Sequence, residues 1–199
     1  MSNLIDEYFE THLALSKEEA NQLHLRYYKD YGLAIEGLVR HHKVDPLEYN
    51  RNVDDALPLE EVIKPDPQLR RLLEDLDTTK VKPWLFTNAY ITHGNRVVKL
   101  LKVEDLFEGI TYCDYGAEKL LCKPHKEMFL KAEKEAGARS PQDCFFVDDS
   151  GLNALGARER GWTSVHLVEP SEQNPPQRMG TYQVRSLQEL RDLFPQFFK

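Results

Sequence analysis

A chain of 199 residues holds one ordinary domain, or a core domain with a small appendage, and its 41% hydrophobic and 30% charged content fits a globular protein able to bury a core. A net charge of −7, from 26 Lys+Arg against 33 Asp+Glu, argues against a general nucleic-acid or membrane-surface binder, while a locally positive pocket leaves room for a small anionic substrate. No stretch approaches the length of a membrane span, and the opening MSNLIDEYFETHLALS is too mixed and acidic for a signal peptide.

Residues 1–63 read as helical. Leu4, Ile5, Tyr8, Phe9 and Leu13 share one face at helical spacing. Ser16 with Glu19 makes a capping pattern, and Gly32 stops the helix that follows. AIEGLVRHHK and DPLEYNRNV predict further short helices, and no strand signal occurs in this region. Pro65 and Pro67 then punctuate the chain, and Leu69, Leu72, Leu73 and Leu76 stripe one more helix. From residue 82 strand and helix alternate: KPWLFTN, HGNRVVKLLKVEDLF, GITYCD, KPHKEMFLKAEKEAG, CFFVDD, GLNALGARERG, TSVHLVE, a loop rich in Pro and Gln, and a closing helix SLQELRDLF. That alternation predicts a parallel α/β sheet, which binds ligands beyond the C-terminal ends of its strands.

Three polar groups stand at those ends. Thr87 and Asn88 close the first strand and offer a hydroxyl, an amide and turn N–H groups to an anion, although an ordinary turn uses the same residues. Lys123 precedes Pro124, expected in the first turn of the next helix; a cation there can neutralise a phosphate, and an isolated lysine is otherwise a solvated surface group. Asp148 and Asp149 follow Phe145, Phe146 and Val147. Two adjacent carboxylates at the end of an apolar run need a cation, and Mg²⁺ suits carboxylates, water and phosphate oxygens. Helix capping by one aspartate, with Ser150 assisting, competes with that reading. Asn153, one turn beyond Asp149, could hold a metal-bound water. Cys113, Cys122 and Cys144 have no metal-type spacing and point to a reducing, cytoplasmic setting, with the nucleus as a second candidate.

Taken in order, LFTNAY, CKPH and FVDDSGLN resemble the second, third and fourth motifs of the haloacid dehalogenase-like hydrolase superfamily. DLFEGITYCDY, together with the helical stretch from YYKDYG to VIKPD, is similar to its fungal pyrimidine 5′-nucleotidase branch. The resemblance implies a Rossmann-like parallel sheet core over residues 64–199 with an N-terminal helical cap over residues 1–63. It implies Mg²⁺-dependent hydrolysis of a phosphomonoester, most simply a nucleoside monophosphate such as UMP or CMP, through an aspartyl-phosphate. Thr87 and Asn88 would hold phosphoryl oxygens and Lys123 would offset the charge on nucleophile and phosphate. Asp148 and Asp149 would hold the metal, Asp149 being the stronger choice for a catalytic ligand, with Asn153 in the outer shell. No nucleic-acid or membrane partner is expected, and the oligomeric state is open.

The same resemblance calls for a nucleophile in a first motif, Asp-x-Asp, on a hydrophobic strand before the cap, and no such strand precedes the cap in this sequence. The first, central strand is therefore expected to be missing, which leaves the strands ending in Thr87 and Asp148 with unpaired inner edges. DLDTT at 75–79 spells the pattern with Asp75, Asp77 and Thr79, but it follows a helical stripe and reads as a solvated helix end. Two accounts follow: a shortened version of an active phosphatase, or a non-catalytic short form that binds a nucleotide or phosphate. Tyr27, Tyr28 and Tyr31 are candidates for stacking on a base, with core packing as the competing role.

Overall fold

The computed structural model describes residues 2–199. Its helices are α1 (Ser2–Leu13), α2 (Lys17–Tyr31), α3 (Ala34–His42), α4 (Pro46–Tyr49), α5 (Leu59–Val62), α6 (Pro67–Glu74), α7 (Ile91–Leu101), α8 (Lys126–Ala136), α9 (Gly151–Arg160) and α10 (Leu190–Leu193). Its strands are β1 (Trp84–Thr87), β2 (Gly109–Tyr112), β3 (Phe145–Asp148), β4 (Thr163–Leu167) and β5 (Tyr182–Val184). The chain divides into two compact units, one built from residues up to Lys64 with 87–100 and 112–122, the other from 65–86, 101–111 and 123–199. The first division falls after Lys64. The two later segments that join the helical unit carry no mark of it in chain order.

In the helical unit, local chemistry sets the ends of the helices. Ser16 and Glu19 form a reciprocal capping box at the start of α2, and Gly32 closes it in the left-handed region at φ 78°. Asp45 caps α4 through Leu47 N, and the chain then makes one turn of π-helix over Asn50–Asp54. The apolar stripes meet in a core of Ile5, Tyr8, Phe9, Tyr27, Ile35, Leu38 and Val53, joined by Cys113, Tyr115, Leu120 and Cys122. Phe9, Ile35 and Leu38 are fully buried, each contributing roughly 1.5–3 kcal/mol by removal from water.

In the second unit β3, β4 and β5 form a parallel sheet, with Phe145 opposite Thr163, Asp148 opposite His166, and Val165 opposite Tyr182. α9 packs on β3 and β4, and Phe129, Phe146, Ala157 and Trp162 make the core beneath. β5 falls inside the stretch read from sequence as loop; its three residues are too few to show an alternating pattern. β1 pairs with β2 in a separate two-stranded sheet. Among the described residues the parallel sheet is therefore in two pieces rather than one. No residue of β1 is fully buried, although its sequence is Trp-Leu-Phe-Thr. Pro124 lies before α8 rather than in its first turn, because His125 is the N-cap and Lys126 the first helical residue. No described helix is long and apolar enough to cross a membrane.

Candidate active site

The site is anchored by a buried ion pair. β3 ends at Asp148, and Lys123 Nζ lies 2.6 Å from its Oδ2; both side chains are less than one-tenth exposed. Lys123 also donates to the carbonyl of Phe86 at 2.7 Å, and its ammonium sits 4.8 Å from the Phe86 ring centre and 5.1 Å from that of Phe146. A cation in so apolar a setting needs its carboxylate, and removing either partner strands the other. The other Asp148 oxygen accepts from Ser150 N and from Asn153 Nδ2, both at 2.9 Å. Asp148 thus accepts from the backbone N–H of Ser150, the N-cap of α9, while pairing with Lys123. Asn153 is bonded to Asp148 and not to Asp149, and its Oδ1 is buried without a partner.

Asp149 behaves differently. Its side chain is exposed and takes no hydrogen bond from a described residue, while its backbone carbonyl accepts from His166 Nε2 at 3.1 Å. His166 on β4 is buried and its Nδ1 has no partner. Gly151 permits this packing: a Cβ there would lie 3.0 Å from Met179 Cγ and 3.3 Å from the His166 ring. The tie from His166 to Asp149 escaped the sequence reading, since only the parallel register across β3 and β4 shows that a histidine in TSVHLVE faces the aspartates.

Thr87 closes β1 and its Oγ1 accepts from Ala89 N at 3.0 Å; Asn88 follows, its carbonyl 3.5 Å from Tyr115 Oη. These two residues fall in the helical unit, whereas Lys123, Asp148, Asp149 and Asn153 fall in the other.

The remaining candidates lie elsewhere. Asp77 Oδ1 takes Thr79 N at 3.1 Å and Thr79 Oγ1 at 2.6 Å, and Lys80 stands 3.0 Å from Oδ2, which together hold the carboxyl down at about 2. DLDTT is thus a turn after α6, with Asp75 as the helix cap. Tyr27 belongs to the core, packed against Gly37 with its hydroxyl 2.7 Å from His42 Nε2, so it is not free to stack on a base. Tyr31 bonds His41 Nε2 at 2.7 Å, and Tyr28 is 46% exposed. A surface depression of about 570 Å³, lined by Leu73, Leu76, Pro83, Phe107 and Lys199 among others, includes none of the site residues.

The family model described as haloacid dehalogenase-like hydrolase matches residues 3–161. The chain belongs to the haloacid dehalogenase-like hydrolases. Over 178 residues this hydrolase is 39% identical to phosphate metabolism protein 8 of Saccharomyces cerevisiae, a match covering 85% of the chain and 56% of the yeast protein. The chain therefore spans little more than half the length of that curated relative. Its fold is similar to HAD phosphatase from Thermococcus onnurineus, at TM-score 0.65 and 21% identity over 97% of this chain and 87% of that one. It is similar also to L-2-haloacid dehalogenase from Xanthobacter autotrophicus with chloropropionic acid covalently bound, at TM-score 0.63 and 14% identity over 98% and 92%.

Proposed function

We propose that this haloacid dehalogenase-like hydrolase is the greater part of a Mg²⁺-dependent phosphomonoesterase acting on nucleoside monophosphates such as UMP or CMP, and that the nucleophilic aspartate comes from outside the residues described. One observation carries the reading: a buried Lys123–Asp148 pair beside an exposed, unengaged Asp149 carboxylate at the end of a parallel strand. A dehalogenase-type site has less use for two adjacent aspartates, which favours a phosphate and a cation here.

The residues fit Mg²⁺. Asp149 offers a carboxylate with no competing donor, and Mg²⁺ is commonly held by one or two carboxylates with water and phosphate oxygens completing its shell. Bound there, the ion supplies charge that stabilises a phosphoryl group in transfer. Asp148, Ser150 and Asn153 fix the start of α9 so that Asp149 is presented outward, and His166 holds the Asp149 backbone. Thr87 and Asn88 would donate to phosphoryl oxygens, and Lys123 would offset their charge.

The split sheet supports a nucleophile from outside. β1 and β3 are not paired with each other among the described residues, β1 is half-exposed along its length, and a lysine rather than a strand bonds the Phe86 carbonyl. A parallel strand ending in an aspartate would satisfy both edges and bring the missing carboxylate to the strand ends. On this account the chain by itself binds phosphate and Mg²⁺ without turnover. Phosphate release from UMP, measured with and without Mg²⁺ for this chain and for a version extended upstream, tests the reading. Release by the extended form alone is expected; equal release by both would show that the nucleophile lies within these residues.

A further inference from the structure

The turn after β3 sends two adjacent carboxylates in different directions: Asp148 is engaged with Lys123, and Asp149 is exposed. The peptide unit that joins Asp149 to Ser150 is held at both ends. Its N–H donates to Asp148 Oδ1 at 2.9 Å, and its carbonyl accepts from His166 Nε2 at 3.1 Å. A peptide unit is planar, so a bond at each end fixes its rotation. The two bonds thereby hold ψ of Asp149 and φ of Ser150, the torsions through which the strand passes into α9. One hold comes from β3 itself. The other comes from β4, the neighbouring strand.

His166 makes a single hydrogen bond of its ring. The residue is 5% exposed, and Nδ1 is buried without a partner among the described residues. Burying an unpaired nitrogen costs free energy that a leucine at the same place would not incur. What the histidine provides there, and a leucine does not, is the donor to the Asp149 carbonyl. The ring is also kept in place. In the parallel register His166 stands opposite Asp148. At Gly151 a Cβ would lie 3.3 Å from the ring Cε1, and at Gly180 one would lie 2.9 Å from the His166 backbone N. We propose that His166 is a positioning residue for Asp149: with Asp148 it clamps the Asp149–Ser150 peptide, and so aims the Asp149 carboxylate at a bound divalent cation. The cation rests on the reading of Asp149 as a Mg²⁺ ligand; the clamp does not.

Two variants separate the bond from the space that the ring fills. In His166→Gln the side-chain amide can still donate to the carbonyl, and in His166→Leu nothing can. Hydrogen exchange of the Ser150 amide, in the intact chain without metal, reads the clamp. Exchange is expected to stay near the parent rate in His166→Gln. In His166→Leu it is expected to run about twofold to tenfold faster, the factor that a single hydrogen bond carries. The amides of Phe146 and Val147 serve as references and are expected to stay level in both variants. Titration of Mg²⁺ in the presence of inorganic phosphate reads the consequence. Affinity is expected to fall about tenfold in His166→Leu and to be largely restored in His166→Gln. Equal Ser150 exchange and equal Mg²⁺ affinity in the two variants would assign His166 to packing alone and overturn the proposal. If the parent binds no Mg²⁺, the metal reading of Asp149 falls. Faster Ser150 exchange confined to His166→Leu then still upholds the clamp, and its absence overturns that too.

Discussion

The helical unit and the sheet unit face the same task of burying apolar surface, and they meet it unequally. In the helical unit Phe9, Ile35, Leu38 and Val53 are wholly inaccessible, and Ser16, Gly32 and Asp45 cap helix ends locally. In the sheet unit Trp84, Leu85 and Phe86 of β1 all stay half-buried, and Phe145 of β3 is 44% exposed. The reason lies in the hydrogen bonds. A helix satisfies its own backbone and needs only one face covered, whereas a strand needs a neighbour on each side. The strand β1 thus keeps its side chains part-exposed, while the apolar stripes of the helical unit seal Phe9, Ile35, Leu38 and Val53.

Breaking the two units separately sharpens this contrast. Lys123→Ala leaves Asp148 buried with its ionic partner gone, and a loss of about 3–5 kcal/mol in urea unfolding is expected. Phe9→Ala empties a sealed site and is expected to cost about 3–5 kcal/mol. Phe86→Ala, at a half-exposed strand position, should cost clearly less by the same assay; equal losses would show that β1 is as well packed as the helical core. The pH dependence of unfolding tests the helical unit again. Asp54 is raised from 3.8 to about 6 in the fold, so the folded state holds the proton more tightly. The stability it contributes is complete below 3.8 and is lost as pH rises to about 6, by up to about 3 kcal/mol. Asp54→Asn should flatten that decline in chemical denaturation curves taken between those limits. The smallest change is expected from Asp149→Asn, whose exposed side chain leaves stability within about 0.5 kcal/mol of the parent while altering what the site binds.

Much of the fold was legible because its signals are local. Ser16 with Glu19, the glycines at 32 and 137, and Pro67 at the first position of α6 mark helix ends through chemistry confined to a few residues. The order Thr87-Asn88, Lys123, Asp148-Asp149 was visible in the sequence for the same reason: Thr87 and Asp148 end strands, and Lys123 lies in the turn before α8. What escaped depends on contacts distant in sequence. β5 is defined by its pairing with β4 rather than by its own three residues, and His166 becomes relevant only through its register with Asp148. Asn153 bonds Asp148, the aspartate farther from it in sequence, which spacing alone does not predict. The π-turn has no sequence signal at all; Asn50 and Asp54 are buried there, and Arg96 of α7 donates to the Asp54 carbonyl.

Titration calorimetry of Mg²⁺ into the chain in the presence of inorganic phosphate, compared with the Asp149→Asn variant, addresses the site most directly. Saturable binding of one Mg²⁺ by the parent, lost in the variant with no change in unfolding, is the result this account predicts. Equal Mg²⁺ binding by both proteins, or none by either, would contradict it.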